Sequence, residues 1–340
     1  MKPTDYSYHL TNYLGKYLPG ILGLRANTIS SYRDMFTLMI SFYETVIGIK
    51  PEKITLKDFT QHLMEKFLEW LEQQRGNVIS TRNVRLAAIH AYAKYLARVH
   101  PDVMHEMLKI QSIPFKKCHK RAPEYISIEA MTLLLSLPDV RTKKGRRDAT
   151  LLSIMYDSGC RVQELCDLTV SDIRLQKQQA TVKVTGKGNK TRIIPVMDSM
   201  AKLLKQYLKE FELMVPEKSG LPLFLNRSGE KLTRKGVTYI LQKYFTQAQK
   251  TEPGLFPKKM SPHCCRHSKS MHLLQSGVDL IYIRDMLGHV DVKTTEIYAR
   301  IDSEMKRKAL EKCMNITPAV KEPVWQTNKD LLAWLNSLGH

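Results

Sequence analysis

A mainly helical α+β protein is predicted, with a helical N-terminal half followed by a mixed α/β half that carries a small antiparallel sheet. Three observations predict it. Apolar residues recur at helical spacing through roughly the first 110 positions. A basic, proline-containing stretch interrupts that pattern at 111–123. Residues 180–196 then alternate with period two on both sides of a glycine-rich turn. The 340 residues suffice for two domains, each with its own core.

The elements follow in chain order. The segment before Asn27 holds Tyr6, Tyr8, Tyr13 and Tyr17 and reads as an extra helix. A helix is predicted over 27–48, where Ile29, Tyr32, Met35, Phe36, Met39, Ile40 and Tyr43 share one face after an Asn-Thr start. A second runs over about 59–74 on Leu63, Phe67, Leu68, Trp70 and Leu71, and Gly76-Asn77 ends it. A third starts at Ser80 as N-cap and reaches Val99, and Pro101 restarts a short helix. The stretch QSIPFKKCHKRAP at 111–123 has two prolines, four Lys/Arg and no apolar period, and reads as a linker able to touch phosphates. Helices are predicted at 127–137 and 146–158. Strands at 180–185 and 191–196 pair across Gly186–Lys190 as a hairpin. Helices follow at about 198–213, 233–249, 262–276 and 279–287. A Lys-rich helix is expected at 303–313, and a short one near the end carries Trp325, Leu331, Leu332, Trp334, Leu335 and Leu338.

Charge narrows the function. There are 53 Lys+Arg against 33 Asp+Glu, a net charge of +20. Such a balance favours a polyanion, through counterion release from phosphates. No apolar run approaches the roughly 18–20 residues of a membrane span, and the start Met1–Tyr6 lacks a signal-peptide core. A cytoplasmic location is the expectation. The six cysteines form no CxxC pair and are expected to be reduced structural thiols, with no metal site.

The chemistry sits in the second half. His263, Arg266, His289 and Tyr298 cluster near the C-terminus, and Arg161 adds a second arginine upstream. Arginine forks match phosphate oxygens two at a time. A tyrosine hydroxyl attacks phosphorus if its proton is removed and the developing charge is stabilised.

Five pieces then appear in order over about 140 residues: Ser158-Gly-Cys-Arg161-Val-Gln-Glu164-Leu, Thr185-Gly-Lys187-Gly-Asn-Lys-Thr-Arg192, Pro262-His263-Cys-Cys-Arg266-His267, Leu287-Gly-His289 and Thr294-Thr-Glu-Ile-Tyr298. Together they resemble the tyrosine recombinases, or phage-type integrases, across about 122–313 and more loosely upstream. The resemblance implies a helical, SAM-like core-binding domain at 1–112, a linker at 113–123, a catalytic domain at 124–315 and a C-terminal tail at 316–340. That tail helix docks either on a neighbouring protomer or on its own domain.

The resemblance also implies roles. Tyr298 is the nucleophile, and Arg161 and Arg266 grip the non-bridging oxygens. His263 is general acid or base, and His289 hydrogen-bonds the same phosphate. Lys187 protonates the leaving 5′ oxygen, with Lys190 and Arg192 as weaker alternatives. Glu164 orients an arginine or histidine, and His267 reads as a structural histidine. No cofactor or metal is expected, since guanidinium and imidazole groups supply the charge. The implied partners are double-stranded DNA with inverted-repeat core sites, held in a C-shaped clamp, and further copies of the chain, four on two duplexes. Arg82, Asn83 and Arg85 near one helix start, and Arg234 at another, are the DNA-contact candidates.

The expected function is site-specific recombination through a 3′-phosphotyrosine bond, integrating or excising a mobile element. The alternatives are dimer resolution by the same chemistry, a type IB topoisomerase, and a catalytically silent DNA-binding regulator. A metal-dependent nuclease would need paired carboxylates, and no suitable cluster stands out in the sequence.

Overall fold

The computed structural model describes residues 3–118, 123–176, 180–186 and 188–288, together with the single positions 295, 296, 298, 333, 335 and 337. The chain divides into two compact units, Met1–Arg121 and Ala122–His340. The division falls inside the predicted linker. Among the described residues no helix is long and apolar enough to cross a membrane.

The first unit is all helix: α1 (Asp5–Asn12), α2 (Ala26–Phe42), α3 (Gln61–Gln73), α4 (Ile79–Val99) and α5 (Met104–Gln111). The tyrosine-bearing N-terminal segment is indeed helical, α1 continuing as a π-helical stretch over Tyr13–Ile21. Thr4 and Thr60 cap α1 and α3 by accepting backbone N–H groups that the first turn leaves unpaired. Gly76, at φ +62°, lets the chain turn out of α3. Ser80 is not the N-cap of α4. The cap position is Val78, in extended conformation and without a side-chain bond, and Ser80 lies inside the first turn.

The predicted apolar stripes face one core, with Met35, Phe36, Met39, Phe67, Leu68 and Leu71 all fully or nearly fully buried. Each such side chain contributes roughly 1.5–3 kcal/mol. Tyr13, Tyr17, Tyr92 and Tyr95 pack as a ring cluster with centroids 4.8–6.0 Å apart.

The second unit wraps helices round a small sheet. Its helices are α6 (Ile128–Ser136), α7 (Lys143–Asp157), α8 (Val162–Asp167), α9 (Asp198–Glu210), α10 (Arg234–Thr251), α11 (Pro262–Gln275) and α12 (Leu280–Leu287). The strands β1 (Ile173–Leu175), β2 (Ala180–Thr185) and β3 (Thr191–Val196) form an antiparallel sheet in the order β1-β2-β3. The predicted hairpin is β2–β3, in register Val182↔Ile194 and Thr185↔Thr191. Strand β1 was not foreseen, because three residues are too short to show a period. Val182, Val184 and Ile194 point into a core shared with Leu152, Met155, Leu204, Leu241 and Phe245. Cys264 and Cys265 face the same core, and no disulfide joins the described cysteines.

Candidate active site

Two guanidinium groups and a backbone N–H converge on one carboxylate in the second unit. The chain leaves α7 through Gly159, at φ +54°, which turns Arg161 into the N-cap position of α8. Glu164 then sits at the third residue of that helix. Its Oε2 accepts the backbone N–H of Arg161 at 2.9 Å and its Oε1 accepts the Arg161 side chain at 2.7 Å. The carboxylate thus closes the helix start and fixes the arginine in one bond set. A third donor comes from β3, where Arg192 reaches Oε2 at 2.7 Å. Burial pushes the Glu164 carboxyl up, but the bonds from Arg192 and the Arg161 backbone outweigh it, and the net direction is below the usual carboxylate range.

Two arginines also hold the end of α12. Arg192 Nε donates to the Met286 carbonyl and Arg266 to the Leu287 carbonyl, both at 2.7 Å. These carbonyls belong to the last turn, where no intrahelical donor remains and the helix dipole favours a cation. Arg266 spends its other fork atom on the Gly159 carbonyl, also at 2.7 Å. A single buried guanidinium therefore ties the turn before Arg161 to the turn before His289. Burial, and next the charge of Arg161, push Arg266 down to about 10, so the site gains from any anion that enters. The Arg161 side chain remains 37% exposed and is the open member of the set.

Tyr298 is 1% exposed and packs with Met271, Leu274, Ile283 and Leu287. Its hydroxyl lies 2.8 Å from Nδ1 of His267. Burial raises the Tyr298 hydroxyl above its usual value, against the Ser270 hydroxyl and the positive charges of Arg266 and Arg161. Burial, then His263 and Arg266, push His267 down to about 4. A neutral His267 with its proton on Nε2 accepts the tyrosine proton as a hydrogen bond. The histidine read from the sequence as structural is therefore the one bonded to the tyrosine. His263, one turn earlier and exposed, has its ring 6.5 Å from that of His267.

The structure brings Arg161, Glu164, Arg266 and Tyr298 into one neighbourhood. Lys187 and His289 lie outside the described residues, and so do the predicted 303–313 helix and most of the 316–340 tail. Arg192, ranked in the sequence only as a substitute for Lys187, proves central. A long-range ion pair across 28 residues leaves no local signal.

The DNA-contact candidates separate. Arg82 is 6% exposed, with Nε 3.4 Å from Glu72 and a fork nitrogen donating to the Pro114 carbonyl at 3.1 Å. Asn83 donates to the Lys116 carbonyl at 2.8 Å and accepts the Lys116 N–H at 3.2 Å. Both side chains therefore hold the exit segment 114–116 against the helical unit, so the expectation that they face a groove is corrected for Arg82, which has no free edge to offer. Arg85 donates to the Ser31 carbonyl at 3.2 Å. Arg234 is the exposed first residue of α10, next to the Thr233 cap.

Residues 125–305 match the model of the phage integrase family, more than half of the chain. The protein is a member of that family. A protein of Sinorhizobium fredii named as an integrase/recombinase, y4rC, is 34% identical over 92% of each chain. The tyrosine recombinase XerD of Staphylococcus epidermidis is 31% identical over 84% of this chain and 92% of its own. The fold matches XerH recombinase bound to its difH substrate, with TM-score 0.64 at 24% identity over 83% of this chain and 78% of that one. It also matches the Tn1549 transposon integrase in complex with transposon end DNA, with TM-score 0.67 at 15% identity over 90% and 97%. As in that family, a helical domain precedes a mixed catalytic domain with a small antiparallel sheet.

Proposed function

We propose that this tyrosine recombinase cuts and rejoins DNA at specific sites through a covalent bond between Tyr298 and a 3′ phosphate, and that it integrates or excises a mobile element. The observation that carries this reading is the gathering of Arg161, Arg266 and Tyr298 in one neighbourhood where guanidinium groups outnumber carboxylates. In the reaction the Tyr298 oxygen forms its bond to phosphorus as the bond to the 5′ oxygen breaks. The phenol proton leaves to a base, and Lys187 supplies a proton to the departing oxygen. Rejoining reverses each transfer, with the 5′ hydroxyl of a partner strand as attacker.

His267, held at about 4, is a poor base and serves better as a resting partner for the phenol. The more exposed His263 takes the proton, once Tyr298 has moved to meet a phosphate. Arg161 and Arg266 stabilise the added negative charge of the transition state. His289 completes the phosphate contacts. Arg234 and Arg85 remain the DNA-contact residues, and double-stranded DNA with inverted core sites and a four-protomer assembly complete the proposal. The kinship with y4rC, named an integrase/recombinase, supports this reading, and dimer resolution by the same chemistry is the second one.

Covalent trapping tests it. Nicked duplexes tiled from the DNA flanking the gene are incubated with the protein in EDTA, and SDS-stable adducts are sought beside Tyr298→Phe. The expected outcome is an adduct with the wild type and none with the variant. An adduct that persists in Tyr298→Phe removes the assigned nucleophile. Adducts mapping to the ends of an element favour integration, and adducts at one chromosomal site favour resolution.

A further inference from the structure

Arg192 and Glu164 link three elements of the catalytic unit, the start of α8 at Arg161, strand β3 and the end of α12 at Met286. Glu164 holds Arg161 through both its backbone and its side chain. Arg192 bonds Glu164 with one nitrogen and the Met286 carbonyl with another, both at 2.7 Å. Next in the chain is Leu287, whose carbonyl holds Arg266.

The glycines say the same. A Cβ on Gly186, the residue before Lys187, would lie 3.0 Å from Glu164 Oε1 and 3.6 Å from an Arg192 fork nitrogen. A Cβ on Gly288, the residue before His289, would lie 3.0 Å from that nitrogen and 3.2 Å from Arg192 Cδ, and Gly288 also has φ +65°. Each glycine thus lets the backbone close on the ion pair at the step before a catalytic side chain. The pair is well shielded, with side chains 11% and 6% exposed.

We propose that Arg192 is a positioning residue of the recombinase, which sets Arg161 through Glu164 and seats the hairpin and the end of α12, and that it is not a proton donor to the leaving strand. The inference rests on the recombinase reading above. A guanidinium fits the task because two differently directed donors are used at once. A lysine has a point charge and cannot span both acceptors. The same bonds commit the group to Glu164 and Met286, and a guanidinium does not give up its proton near neutrality.

The test separates positioning from proton donation. At the mapped cleavage site two duplexes are compared, one with the natural phosphodiester and one with sulfur in place of the bridging 5′ oxygen. The thiolate leaves without a proton. Wild type, Arg192→Gln, Arg192→Lys, Glu164→Gln and the Glu164→Gln/Arg192→Gln double variant are assayed for adduct rate, with gel shift and melting temperature alongside.

Arg192→Gln is expected to slow adduct formation on the order of 100-fold on both duplexes, the loss that a misplacement near 1 Å causes, while DNA affinity changes little. Arg192→Lys recovers only part of the rate. The double variant is no slower than the slower single one, because both act through the same bond. Recovery of the wild-type rate on the sulfur duplex would make Arg192 a proton donor and overturn the proposal. So would an unchanged rate on the natural duplex. If Arg192→Gln does not fold by melting, Arg192→Lys decides by the same two comparisons. A wild type that forms no adduct on any tile overturns the recombinase reading itself, and this inference falls with it.

Discussion

Two shielded arginines, Arg82 in the helical unit and Arg192 in the catalytic unit, have similar kinds of partner in differently charged surroundings. Each pairs with a glutamate and donates to a backbone carbonyl across a long stretch of sequence. Around Arg82 carboxylates are in excess, since Glu65, Glu69 and Glu72 line one cleft with Arg82 and Lys116. Lys116 sits 2.8 Å from Glu72 and completes a strap that fixes the chain where it leaves the unit. Around Arg192 the balance is reversed. Glu164 serves Arg161 and Arg192, and Arg266 stands beside them bonded only to carbonyls. Similar pairing makes a fastener where carboxylates exceed cations, and leaves a net positive cluster where they are outnumbered.

The comparison can be broken most severely at Arg266. Arg266→Ala removes the group that joins Gly159 to Leu287 and that is proposed to meet the phosphate. Loss of one such preorganised donor costs about 100- to 1,000-fold in rate. Adduct formation in single turnover measures it, and a loss under tenfold would mean that Arg266 serves the fold alone. Next comes Gly288→Ala. The added methyl meets the Arg192 guanidinium, and an L-residue at φ +65° costs roughly 1–2 kcal/mol by itself. A lower melting temperature together with slower cleavage is expected, and cleavage at the wild-type rate would show that the ion pair yields without harm.

Arg82→Ala should act the other way round. Glu72 loses an ion-pair partner and the Pro114 carbonyl a donor, for about 1–3 kcal/mol of stability. The rate of the chemical step in saturated complexes should not change, because Arg82, Glu72 and Pro114 all belong to the helical unit. Denaturant melts compared with single-turnover rates at saturating protein check this. A selective loss of the chemical step would show that the strap is coupled to catalysis.

How far each region could be read from the sequence follows the same line. The helical stripes and the β2–β3 hairpin were visible because periodicity is local: Phe36, Phe67 and Val184 each lie where the pattern puts them. Arg161, Arg266 and Tyr298 were visible as ordered motif pieces. Arg82 was misread because a cation near a helix start looks the same whether it faces a groove or a glutamate ten residues back. Arg192 was underrated because its partners are Glu164 and Met286, on elements that only the fold brings together. Ser80 failed as a cap because Val78 already sets the first turn. His267 was taken for packing because nothing local ties it to a tyrosine 31 residues on.

The smallest expected effect lies at that last pair. His267 is held at about 4 in the folded chain, by burial first and then by His263 and Arg266, against an ordinary value of 6.5. Above pH 6.5 both folded and unfolded chains leave it neutral, and it adds no pH dependence. As the pH falls from about 6.5 towards 4, the unfolded chain takes a proton that the folded one refuses, so stability drops across that window. Other histidines shifted the same way, His9, His90 and His272, give a parallel slope. The informative quantity is therefore the difference between wild type and His267→Gln in melts from pH 7 to pH 4. The glutamine keeps a partner for the Tyr298 hydroxyl but cannot titrate, so its melting temperature should fall less steeply than that of the wild type. Equal slopes would mean that His267 takes its proton in the fold, releasing the hydrogen bond, and that the resting hold on Tyr298 loosens with acid instead of persisting through it.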